Sequence, residues 1–325
     1  MPPDPITQFN QQLTRRRFFG NTGTGLGIAA LSSLMGTSDS IPAATDLEAP
    51  HFPAKAKRVI YMFQNGAPSH VDLFDHKPGM AKFRDTQLPE SIQQGKRLST
   101  MTQGKEQKVL SSPWKFRPYG KCGTQMSQLV PHMGSIADDI CLVRSMHTEA
   151  VNHAPAITYF LTGSEMPGRP SFGSWLSYGL GSANDELPTF CAMTSVDREL
   201  SCGQIFYDWY WGSGFLPSHH QGVKFRGNGD PVLYLSNPNG IDRTLRKSLL
   251  DDLAALNNLR QQEIGDPEIS TRISQYEMAY RMQASIPDLT DINTEPQHIL
   301  DLYGPDVMRR GSFAQNCLLA RRLAE

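Results

Sequence analysis

The sequence has no Cys-x-x-Cys pair. Its five cysteines, Cys122, Cys141, Cys191, Cys202 and Cys317, are scattered, which excludes a zinc ribbon and a thioredoxin-type redox motif. It also lacks a dominant charge. Thirty-one Lys and Arg against 32 Asp and Glu leave a net charge of -1, and the pI near 6.8 gives no general electrostatic attraction to nucleic acid or anionic lipid. No apolar run is long enough, and free enough of Gly and Ser, for a permanent membrane span. What is present, 39% hydrophobic and 19% charged residues over 325 positions, describes a globular chain of one large or two ordinary domains.

Residues 1–45 read as an address rather than as structure. Arg15, Arg16 and Arg17 stand directly before Phe18, ahead of a Gly-rich, mildly apolar segment from Gly20 to Met35 and the small residues Ala43 and Ala44. This resembles a twin-arginine export signal, with Arg15, Arg16 and Phe18 as the residues that the export machinery reads. It implies an exported protein, periplasmic or in the cell envelope. No Cys follows the apolar segment, so no lipid anchor is expected. The Gly-x-Gly-x-Gly at 23–27 lies inside this signal with no strand before it, which excludes a nucleotide-binding reading. Residues 46–57 form a linker.

The chain from residue 58 is organised around Arg58–Pro78. Val59 to Phe63 is an uninterrupted apolar run of the kind a buried strand needs, and Asn65-Gly66 stops it with turn chemistry. The following loop carries Asn65, Ser69, His70, Asp72, Asp75 and His76, oxygen and imidazole donors suited to a divalent metal or an oxyanion. A polar surface loop capped by Ser69 or Asp72 explains the same residues. Ile140–Val143 and the segment around Phe190–Met193 are the second and third strand candidates, while residues 79–135 read as an irregular excursion.

His147 to Gly163 is the second informative stretch. Pro155 near a first turn and Gly163 after the last predict a short helix with Asn152 and His153 at its N-terminus, where free N–H groups favour an anion. Trp209-Tyr210-Trp211 and His219-His220 suit either a ligand platform or a core edge. Beyond residue 236 the chain turns helical: one helix starts at Asp242 with Leu245, Leu249, Leu253 and Leu256 on one face, and a second starts at Asp266-Pro267. Thr294 and Gln297 read as a capping box for a third, ending at Gly304.

The order of the export signal, NGAPSHVDLFDHKP, RSMHTEAVNHAPAITYFLTG, GRPSFGSWLSYGLG and GFLPSHHQG resembles the domain-of-unknown-function 1501 family, exported proteins often labelled sulfatase-like. The resemblance implies a branch of the alkaline phosphatase and sulfatase superfamily: an α/β fold with a mainly parallel sheet flanked by helices, and divalent metals at the strand ends. By position it implies Asn65, His70 and Asp72 as metal ligands for zinc, manganese or calcium, and His153 in the place of the nucleophile. Asp75, Asn152 and His147 would support them. Asn65 stands where the superfamily has Asp. No Ser or Cys opens the helix, so a formylglycine sulfatase is not expected. The imidazole of His153 suits a metal ligand, a general base or a transient phosphoryl acceptor. The implied function is metal-dependent hydrolysis of sulfate or phosphate esters on a small molecule or polysaccharide. The alternative is a non-catalytic envelope or polysaccharide-binding protein. Residues 58–325 would be the N-terminal part of the domain, with 236–325 as a helical insertion or flanking layer. With three strand candidates in all, and Phe313, Cys317, Ala320 and Ala324 on one helical face at its end, the chain is expected to lack the rest of a wider sheet.

Overall fold

The computed structural model describes residues 55–325 apart from 94–101, 183, 185, 196–205, 227–230 and 233–235. Arg15, Arg16 and Phe18, expected to belong to an export signal, therefore lie outside the described residues. Two compact units divide the chain: Met62–Met166 with Cys202–Phe206, and the remainder, which includes Pro167–Ser201 and Tyr207–Glu325.

The expected wide parallel sheet is not what forms. The sheets among the described residues are two, each of two strands. Val59–Met62, expected to be a buried strand, carries no strand assignment and is between 46% and 67% exposed. Ile140–Val143 is likewise not a strand. The reason is pairing: an apolar run becomes a strand only when a neighbour takes up its N–H and C=O groups, and no described segment does so. The α/β class with helices flanking a mainly parallel sheet is thereby corrected to a helix-rich architecture with small sheets.

In the Met62–Met166 unit, helix α1 (His70–Leu73) and helix α2 (Glu90–Gln93) precede a hairpin of β1 (Phe116–Tyr119) and β2 (Thr124–Ser127). These strands are antiparallel, pairing Phe116 with Ser127 and Tyr119 with Thr124. The hairpin was hidden in sequence by the polar 79–135 stretch. Its turn needs left-handed backbone at Gly120 and Gly123, and the Asp138 carboxylate closes it by accepting the Lys121 and Cys122 N–H groups, both at 2.8 Å. Helix α3 (Pro131–Ser135) presses Gly134 against the Tyr119 ring, where an added Cβ would lie 2.3 Å from ring carbons. Helix α4 (His153–Thr162) ends at Gly163, whose φ of 72° provides the left-handed cap read from the sequence.

In the other unit, α5 (Phe172–Leu180) turns Ser174 and Ser177 inward, three residues apart, so its backbone can approach the 211–214 loop. The Ser174 hydroxyl donates to the Gly212 carbonyl at 3.0 Å. Strand β3 (Cys191–Met193) pairs in parallel with β4 (Val223–Phe225), so the third strand candidate is the one that forms. Tyr210 and Trp211 are buried, which makes that aromatic triplet mainly core. Helices α6 (Arg243–Ile264) and α7 (Pro267–Thr290) make a hairpin. Asp242 caps the first, Gly265 ends it in the left-handed region, and Asp266 caps the second. Helix α8 (Gln297–Tyr303) stops before Gly304 as expected, but its N-cap is Pro296 and no side chain caps it, so the Thr294–Gln297 capping box does not form. Thr294 instead donates to the Asp291 carbonyl at 2.9 Å. Helix α9 (Phe313–Ala324) buries Leu318, while Phe313 stays exposed.

Two apolar clusters hold this unit: Phe225, Met282 and Ile286 under β3 and β4, and Ile292, Leu300, Val307 and Leu318 between α8 and α9. Beside them Glu295 Oε1 accepts from both Arg321 and Arg322 at 2.6 Å. Hydrogen bonds from Arg321, then Arg322, hold its carboxyl below the ordinary glutamate range. The sign follows from linkage: the stabilisation is present at neutral pH and is lost as pH falls through the depressed folded-state value. Glu295→Gln should lower Tm at pH 7 and flatten its fall under acid, measured by thermal melts from pH 7 to 3. Parallel wild-type and variant curves would contradict this.

Candidate functional site

The candidate residues all fall in the Met62–Met166 unit. The chain leaves Phe63, turns at Asn65, and places two successive residues in the left-handed region, Gly66 at φ 82° and Ala67 at φ 59°. A left-handed alanine costs about 1 kcal/mol, strain of a kind that gathers at functional loops. The amide oxygen of Asn65 is shut off from solvent with no hydrogen-bond partner among the described residues. Burying such an atom unpaired is unfavourable unless a proton donor or a cation completes it.

Ser69 then precedes α1. Its hydroxyl donates to Asp72 Oδ2 at 2.8 Å, and hydrogen bonds from Ser69 and then Ser112 hold the Asp72 carboxyl below its ordinary range. Asp75 is tied to Lys77 Nζ at 2.9 Å. That hydrogen bond, with the charges of Lys77, His70 and Arg144, holds the Asp75 carboxyl below its ordinary range. His76 stacks flat on Phe116, ring centroids 4.6 Å apart, which turns it to packing. Arg144 locks the arrangement by donating from Nε to the Phe74 carbonyl at 2.9 Å. Ser112, Lys77 and Arg144 were not singled out in the sequence. The signal available was Arg144 standing directly after the apolar Ile140–Val143 run.

Asn152 is the N-cap of α4, accepting the Ala154 N–H at 3.1 Å, and His153 is the first helical residue, exposed. His153 and Phe160 lie seven residues apart on one helical face, and Phe160 sits 6.2 Å from Phe63 at the entrance to the Asn65 turn. This aromatic contact holds Phe160, two turns along α4 from His153, against the residue that leads into the Asn65 turn. His147 is exposed beside Thr148, and neither it nor His153 makes a hydrogen bond or ion pair to residues 65–76 among the described residues.

The structure therefore joins His70, Asp72 and Asp75 within one short helix and its exit. Asn65 is brought into the turn before them. Among the described residues, no group of three or more His, Cys, Asp and Glu side chains is arranged to hold a metal ion. Donor type fits a hard divalent ion at Asn65 and Asp72, an uncompensated amide oxygen and an ionised carboxylate, whereas a closed coordination shell is not assembled.

In the other unit, His220 Nδ1 lies 3.0 Å from the Ser177 hydroxyl and its ring is 3.9 Å from that of His219. Burial, then His219, depresses His220 to about 4, so it is neutral at pH 7. No helix among the described residues is long and apolar enough to cross a membrane.

Compared with known families, residues 56–325 match the one described as "Protein of unknown function (DUF1501)". No curated protein and no solved structure matches significantly.

Proposed function

The chain belongs to the DUF1501 family, and on that premise we propose that it is an exported hydrolase of phosphate or sulfate esters that works with a divalent metal ion. The buried, partnerless amide oxygen of Asn65 carries this reading. Asn65, His70 and Asp72 would hold zinc, manganese or calcium, and the ion would supply charge to the ester oxygens. The protein's own part is orientation and proton handling. Ser69 and Ser112 fix the Asp72 carboxylate, Arg144 and Lys77 fix the exit of α1, and His153 at the head of α4 accepts a proton from the attacking water. The partial positive charge of that helix end favours the anionic ester, although Asn152 already takes the Ala154 N–H and Pro155 has none.

The test is substitution of the one uncharged ligand. Asn65→Asp adds a formal charge at an oxygen that has no partner, so divalent affinity should rise by about 10- to 100-fold in titration calorimetry. Asn65→Leu should lower it by a similar factor. Equal affinity for all three proteins would remove Asn65 from the metal site.

A second reading, capture of polysaccharide without catalysis, is favoured by one observation. Trp175 and Phe215 pack edge to face with centroids 5.8 Å apart, and both are exposed, at 44% and 67%. Such rings can stack on sugar faces.

A further inference from the structure

Helix α6 runs for 22 residues without burying one of them. It meets α7 along a seam of half-buried residues that includes Leu250, Ala254 and Asn257. Leu245, Leu249, Leu253, Leu256 and Leu259 lie on the adjoining face and are between 37% and 62% exposed. Five leucines along one helical face form the stripe by which helices pair, and here no described element covers it.

The charges on this face select an occupant. Asp252 and Arg260, both exposed, lie four residues before and four residues after Leu256. We propose that the chain self-associates through α6 as an antiparallel, two-fold symmetric dimer centred on Leu256. In that register each residue faces the one equally far beyond Leu256 on the partner. Leu253 meets Leu259, Leu256 meets its own copy, and Asp252 meets Arg260 twice, while Leu249 falls opposite the exposed Glu263 and Leu245 lies beyond the paired stretch. Parallel pairing would set Asp252 against Asp252 and Arg260 against Arg260, which like-charge repulsion disfavours. An antiparallel register centred on Leu249 would need Arg246 for Asp252, but Arg246 Nη1 donates to Asn237 at 2.8 Å. A two-fold contact of one helix face is small beside a standard interface, so the dimer belongs to the micromolar class.

Sedimentation of the full-length chain tests this. Wild type at roughly 100 µM should be mainly dimer. Leu256→Gln with Leu259→Gln, both at exposed positions, should raise the dissociation constant at least about tenfold with helix content by circular dichroism unchanged. Arg260→Asp alone should weaken the dimer, and adding Asp252→Arg should restore it. Leu256→Cys should form a disulfide between two copies at that position, found by peptide mapping, even where the chain sediments heterogeneously. The proposal is overturned by a monomeric wild type at that concentration, by a dimer indifferent to both the leucine and the charge variants, or by a monomer whose leucine face instead drives co-sedimentation with anionic lipid vesicles.

Discussion

Ile286→Ala should destabilise the Phe225–Met282–Ile286 cluster by about 2–5 kcal/mol, the cost of a lost side chain plus the cavity it leaves. Ile286 is fully buried and Met282 nearly so, with Val223, Met193 and Leu323 packed around them, which leaves few neighbours free to collapse into the gap. Thermal denaturation should show Tm lower by roughly 5–15 °C. The contrasting substitution is Leu256→Ala on exposed α6, expected to stay within about 0.5 kcal/mol of wild type, measured under dilute conditions that keep the chain monomeric. A small effect at Ile286, or equal effects at the two positions, would show that α7 does not pack as described.

The second large effect is on turnover. His153→Ala should lower kcat/KM for ester hydrolysis by about 10²- to 10⁴-fold, the usual range for a positioned general base. The substitution is structurally mild because Asn152, not His153, caps α4, and His153 is exposed. Tm should therefore hold while activity falls. An unchanged kcat/KM would remove His153 from the reaction.

Helix ends were legible where side-chain and backbone chemistry is local. Asp242, Asp266, Gly163 and Gly304 each act at their own helix terminus, so the sequence alone places them correctly. The capping box at Thr294 failed for the same local reason read too simply: Pro296 took the N-cap position and Thr294 turned to Asp291. The strands were not legible, because strand formation is decided by a partner elsewhere in the chain. Val59–Phe63 has the apolar content of a buried strand and no neighbour to pair with among the described residues, whereas Cys191–Met193 found Val223–Phe225. The β1–β2 hairpin escaped notice because its turn is closed by Asp138, well beyond β2 in sequence.

At the candidate site, residue types were readable and geometry was not. Sequence placed Asn65, His70, Asp72 and Asp75 in one loop, and the structure keeps them on one turn, one short helix and its exit. It could not show that Lys77 would engage Asp75, that Ser69 and Ser112 would bond Asp72, or that Arg144 would reach back to Phe74. Those are contacts between residues as far as 70 positions apart in the chain. The orphaned oxygen of Asn65 is likewise a property of packing alone.

The most direct measurement is elemental analysis of purified full-length protein, followed by assay of the same preparation against a panel of phosphate and sulfate esters. Stoichiometric zinc, manganese or calcium, close to one ion per chain, together with metal-dependent turnover that chelation abolishes, is the predicted result. Protein that holds less than about a tenth of an ion per chain after incubation with all three metals, and hydrolyses none of the esters, would contradict the proposed hydrolase.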